Sequence, residues 1–134
     1  MKAEYTLPGI SQSVVITRMA GRTPVPEKES IRSFAAHQAT MVLFLSTGML
    51  EKLSEELVAG GYQEETPAAI VYKATWPEEK VMHCTVGTLA ETAEREKVTK
   101  TALIVVGNVL NTEYERSKLY DPAFTTEFRK GKEV

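Results

Sequence analysis

Two short apolar runs joined by a link too short to hold a crossover constrain this chain more than any other feature. Ala69, Ile70, Val71 and Tyr72 suit a buried strand, and Val81, Met82, Cys84 and Val86 form a return run. Between them lies an Ala74-Thr75-Trp76-Pro77 turn followed by Glu78-Glu79-Lys80. Pro77 cannot donate to a strand ladder, and the three charged residues favour water. The link from Thr75 to Lys80 therefore predicts an antiparallel pair, because parallel neighbours need a longer crossover.

The rest of the chain alternates strand-like and helix-like periods. Ser13 to Arg18 reads as a strand, and Ala20 to Glu27, with two prolines and a glycine, reads as a connector. Lys28 to His37 places Ile31, Phe34 and Ala35 at helical spacing, with Glu27 and Glu29 suited to the start. Thr40 to Leu45 is a continuous apolar run, which predicts a strand buried on both faces. Met49, Leu50, Leu53, Leu57 and Val58 share one face of the next helix, with Thr47 as the expected cap and Gly60-Gly61 as the stop. Thr88 to Lys97 predicts a third helix, and Ala102 to Val106 a last buried strand ending at Gly107. Helices between strands favour parallel crossovers. The expectation is a mixed α/β fold, with a mainly five-stranded sheet and three to four helices packed on it.

Composition fits one domain: 134 residues, of which 43% are apolar and 25% charged, can bury a core without room for a second complete domain. The net charge is -2 with Lys and Arg scattered, so no basic stripe marks a nucleic-acid partner, and no basic face or apolar run marks a membrane. The amino terminus, MKAEYTLPGI, lacks an apolar signal core, and the lone Cys84 fits a reducing compartment. The expected location is cytoplasmic.

Conventional catalytic machinery is nearly absent. His37 and His83 are the two histidines, and neither stands at zinc-site spacing to Cys84. His83 and Cys84 are neighbours in a strand and point to opposite faces, which rules out a dyad and leaves Cys84 an inert core thiol. Leu7-Pro8-Gly9-Ile10-Ser11 reads as a turn feeding a strand, and Gly60-Gly61 as a helix stop with no phosphate role. What remains is a set of strand ends. Ligands of open α/β sheets bind beyond the carboxyl ends of strands, so Leu45-Ser46, Ala74-Thr75 and Gly107-Asn108 are expected to face one rim. The plainer reading, in which Ser46 and Thr75 are turn residues and Ala74 is merely small, stands beside it.

Four segments carry a family resemblance: LPGISQSVVITRMAGRTPVPEKES (Leu7 to Ser30), ATMVLFLSTGMLEKLSEELVAGGY (Ala39 to Tyr62), KATWPEEKV (Lys73 to Val81) and RSKLYDPAF (Arg116 to Phe124). In this order they resemble the carboxyl-terminal domain of the precorrin-4 and cobalt-precorrin-4 C11-methyltransferases, within the tetrapyrrole methylase family. The resemblance implies an inter-domain strand and linker at 1–27, an α/β core at 28–112 that strand 13–18 also joins, and a tail at 113–134 with a loosely held end. The family's amino-terminal domain, with its Gly-rich loop, is not among these residues.

The resemblance also implies S-adenosylmethionine as co-substrate, held between the two domains. By position it assigns Leu45 and Ala74 to the cofactor wall, with Ser46 and Thr75 beside them and Val106 and Gly107 under the adenine. The substrate would be precorrin-4 or its cobalt form, between which the sequence does not choose, and the assembly a homodimer. Arg18, Arg22 and Lys73 are candidates for the substrate's carboxylates or are solvated surface charge. Trp76 stacks on a ligand ring or caps the core. The alternative to a methyltransferase half is a non-catalytic binding or dimerisation module that keeps the fold.

Overall fold

The computed structural model describes residues 6–21, 23–73, 76–98 and 100–110. Its strands are β1 (Val14–Arg18), β2 (Thr40–Ser46), β3 (Pro67–Tyr72), β4 (Lys80–Thr85) and β5 (Thr101–Val106), and its α-helices are α1 (Ile31–Ala35), α2 (Leu50–Gly60) and α3 (Leu89–Arg95). The five strands form one sheet in the order β1-β2-β5-β3-β4. The mixed α/β architecture is as the sequence predicts. The tail at 113–134 lies outside the described residues.

The interleaving of strands was not legible from local pattern. β1 and β2 are parallel neighbours, while β5 is antiparallel to both β2 and β3, and β3 is antiparallel to β4. The α2 crossover thus joins β2 and β3, which point the same way, but β5 is inserted between them. The α3 crossover likewise joins β4 and β5 across β3. Parallel direction is kept in both crossovers, yet only the α1 crossover ends in a parallel neighbour.

All three helices pack on one face. Met41, Leu43 and Leu45 of β2 and Ala102, Ile104 and Val106 of β5 project into one core with Ile31 of α1, Leu53 and Leu57 of α2 and Leu89 of α3. Burial of each large side chain contributes about 1.5–3 kcal/mol, which is why a short helix such as α1 persists here. Helices α1 and α2 meet closely at Gly60, where a Cβ would stand 2.4 Å from the Arg32 carbonyl oxygen and 2.6 Å from Ala35 Cβ. Helix α2 ends at Gly61 with φ 137°, and the Gly61 and Tyr62 N–H groups close back onto Val58 and Leu57 carbonyls.

Three local expectations are corrected. Thr47 does not cap α2: it opens a 3-10 turn over Thr47–Met49, and Met49 precedes the helix without a side-chain cap. The helix foreseen over 28–37 splits into a 3-10 turn at Glu27–Glu29 and α1, because Ser30 is extended and its hydroxyl accepts from Ser33 N–H at 3.1 Å. The double burial expected of β2 fails only at Phe44: Thr40 and Val42 on the helix-free face are buried, as are Met41, Leu43 and Leu45 on the helix face. Ala69, Val105, Val109 and Leu110 cluster on the helix-free face with Leu7 against them, but Phe44 there is 55% exposed and Ile16 69%.

Candidate functional site

The register decides which strand ends meet. Leu45 lies opposite Ala102 and Ser46 opposite Thr101, so the carboxyl end of β2 stands beside the start of β5. Val71 lies opposite Leu103, which brings the carboxyl end of β3 to the same edge of the sheet. The carboxyl end of β1 is there too, since Arg18 pairs with Phe44. One rim therefore collects the ends of β1, β2 and β3.

Val106 and Gly107 are not on it. Val106 lies opposite Met41, at the start of β2, and opposite Ala68, near the start of β3. Four residues at ~3.3 Å each put it about 13 Å along the sheet from the level of Leu45. The expectation that all three strand ends share a rim fails because β5 runs against both of its neighbours. Gly107 has a structural reason instead: its φ is 152°, and a Cβ would meet Thr40 Cα at 3.3 Å. Its N–H donates to the Pro67 carbonyl at 3.0 Å.

At the shared rim, Leu45 is buried on the helix side of the sheet, and Ser46 closes β2. Lys73 follows β3 with φ 53°, an uncommon conformation for a residue with a Cβ. The turn that holds it is closed by Trp76 N–H donating to Lys73 O and Glu79 N–H donating to Trp76 O, both at 3.0 Å. Lys73 Nζ lies 5.6 Å from the Tyr72 ring centre and 5.9 Å from that of Trp76, within range of cation–π attraction. Trp76 is 61% exposed, so it does not cap the core and presents much of its surface to solvent. Arg18 is exposed, and its Nη1 donates to the Thr23 carbonyl at 3.3 Å. Arg22, Ala74 and Thr75 lie outside the described residues.

Among the described residues, side chains of conventional catalysis are not gathered at this rim. Burial pushes the Cys84 thiol up to about 11, against weaker lowering by the Thr92 and Thr88 hydroxyls and Arg95. It is therefore a poor nucleophile at neutral pH. His83 is exposed, and its strand position faces it away from Cys84. Among the described residues no group of three His, Cys, Asp or Glu is placed to hold a metal, and no helix is long and apolar enough to cross a membrane. The Leu7–Ser11 segment is a closed turn: Ile10 and Ser11 N–H donate to Leu7 O, and Leu7 N–H donates to Ser11 O. Ser11 Oγ then accepts from Thr40 N–H at 2.9 Å, tying the turn to the start of β2.

Among the described residues this rim offers a buried apolar strand end, an exposed indole and a lysine ammonium, groups that can hold a ligand. The profile of the tetrapyrrole (corrin/porphyrin) methylases matches residues 1–90. The chain belongs to this family. Cobalt-precorrin-4 C(11)-methyltransferase of Methanocaldococcus jannaschii is 53% identical over 131 residues, covering 97% of this chain and 51% of that protein. The corresponding enzyme of Priestia megaterium is 43% identical, again covering 97% of this chain and 52% of its own length. The crystal structure of a cobalt precorrin-4 methyltransferase superposes with a TM-score of 0.77 at 42% identity, over 81% of this chain and 45% of that one. This tetrapyrrole methylase chain thus spans about half the length of the curated relatives it matches.

The sequence missed two features of the site. The Lys73 conformation was hidden because Lys carries no left-handed signal, unlike Gly or Asn. The opposite placement of Gly107 was hidden because strand order is set by packing across the sheet.

Proposed function

We propose that this chain is the carboxyl-terminal half of an S-adenosylmethionine-dependent methyltransferase that methylates C11 of precorrin-4 or cobalt-precorrin-4 in corrin biosynthesis. The observation that carries the C11 assignment is the contrast in likeness. The M. jannaschii C11 enzyme is 53% identical across 97% of the chain, whereas the Bacillus subtilis uroporphyrinogen-III C-methyltransferase is 33% identical across 66%. The carboxyl-terminal placement rests on the order of the four segments that resemble that domain.

S-adenosylmethionine, when bound, supplies a methyl group already activated on a sulfonium sulfur. The role left to this chain is to position and to dry the site, which lowers a barrier by fixing geometry rather than by proton transfer. Leu45, buried at the end of β2, is the proposed apolar contact for the cofactor, and Ser46, Ala74 and Thr75 are proposed to join it. Val106 and Gly107 are left out of this set on geometric grounds. Arg18, Arg22 and Trp76 remain the proposed substrate contacts. Cobalt, in the cobalt-containing substrate, arrives within the macrocycle. With one wall only, the chain by itself should bind S-adenosylhomocysteine weakly, since most of a ligand's buried area would be missing.

The exposed Phe44 and Ile16 favour a second property, association through the helix-free face, which a homodimer or a binding module of the same fold would share. The test of the main reading joins this chain to the amino-terminal half of the M. jannaschii relative. It supplies S-adenosylmethionine carrying a 13C methyl group, with cobalt-precorrin-4 as acceptor. A new 13C methyl resonance at C11 is expected. Methylation at another ring position, or none by a chimera that still binds S-adenosylhomocysteine, would refute the assignment.

A further inference from the structure

The two ends of the sheet differ in charge. At the Leu45 rim, Arg18 is the last residue of β1, Lys73 follows β3, Lys80 opens β4 and Lys100 precedes β5. In the order β1-β2-β5-β3-β4 these cations spread across the full width of the sheet, about 19 Å for four spacings of ~4.8 Å. Glu78 and Glu79 in the β3–β4 turn only partly offset them. At the opposite rim no Lys or Arg stands at a strand end or within two residues of one, and Glu65 is the charged residue there. The near-neutral net charge of the whole chain conceals this polarity.

Arg18, Lys80 and Lys100 are exposed, and among the described residues no carboxylate forms an ion pair with Arg18, Lys73, Lys80 or Lys100. Lys73 is held in a conformation that Gly or Asn would adopt at less cost, with its ammonium beside the Trp76 ring. Gln38, two residues before β2 at the opposite rim, shares that left-handed conformation, so it is the charges and not the backbone that distinguish the two ends. We propose that this cationic rim seats the carboxylate periphery of the macrocyclic substrate. Lys73 and Lys100 contact it near the middle, Arg18 and Lys80 flank it, and Trp76 supplies a flat surface. The inference rests on the tetrapyrrole reading and assigns the specificity of that site to charges on four strands.

Trp76 is the single tryptophan of the chain, so its emission reports on this rim alone. The experiment titrates the 134-residue chain with uroporphyrin, a polycarboxylate porphyrin, and reads Kd from the midpoint of quenching. Lys73→Gln and Lys100→Gln are each expected to raise Kd about threefold, and the pair about tenfold, as exposed ion pairs do. Added salt should weaken binding by the wild type more than by the pair. Lys52→Gln, on the exposed side of α2, should leave Kd unchanged. Saturable quenching that is the same in wild type and the pair would overturn the cationic rim while leaving the tetrapyrrole reading intact. Absence of saturable quenching in the wild type would overturn the cationic rim as well, while the tetrapyrrole reading stands or falls separately on methylation by the chimera.

Discussion

Tyr62 shows how one side chain ties local chemistry to the whole fold. Its hydroxyl donates to the Ala39 carbonyl, fastening the exit of α2 to the entry of β2. Burial raises its phenol from 10.0 to about 12, and burial likewise raises the Cys84 thiol from 9.0 to about 11. In both groups the folded state prefers the protonated, neutral form. Their contribution is therefore complete below the unfolded values, and it is lost as pH climbs from about 9 through about 12. Urea midpoints measured across this range should stay level to about pH 9 and then fall. Tyr62→Phe should lower the unfolding free energy at neutral pH by about 1–2 kcal/mol for the unpaired Ala39 carbonyl, and should flatten the alkaline decline. An unchanged alkaline decline in that variant would show that Tyr62 is not its source. The tyrosine's burial was not foreseen, because a residue after Gly60-Gly61 reads as loop until the helix is docked.

Among elements, α2 was the most legible and its start the least. Leu50, Leu53 and Leu57 repeat at helical spacing and are fully buried, as a single amphipathic face requires. Thr47 matched the pattern of a cap, but the chain leaves β2 through a 3-10 turn, so the helix begins three residues later. Ser30 is a true cap and was overlooked beside Glu27 and Glu29, whose charges gave a louder signal. Two substitutions separate these roles. Ser30→Ala should cost about 1 kcal/mol of stability, whereas Thr47→Ala should cost less than about 0.5 kcal/mol, both read by urea denaturation. The reverse ranking would contradict the helix starts described here. Phe44 was hidden for a different reason: a continuous apolar run does not say which of its faces the helices will cover.

At the scale of the molecule, local pattern told strands from helices, and the short Thr75–Lys80 link told antiparallel from parallel for β3 and β4. It did not place β5 between β2 and β3, because that choice comes from long-range packing of Ile104 and Val106 against neighbours distant in sequence. The candidate site follows from that placement. With β5 reversed, one end of the sheet holds Leu45, Lys73 and Trp76, and the other holds Gly107. The central claim is that ligands of this methylase chain meet the first end and not the second. Backbone amide resonances of the 15N-labelled chain, followed at millimolar S-adenosylhomocysteine so that weak binding is visible, test it directly. The account predicts shifts at Leu45, Ser46, Lys73 and Trp76 with Val106 and Gly107 unmoved. Shifts confined to Val106 and Gly107, or none at all, would contradict it.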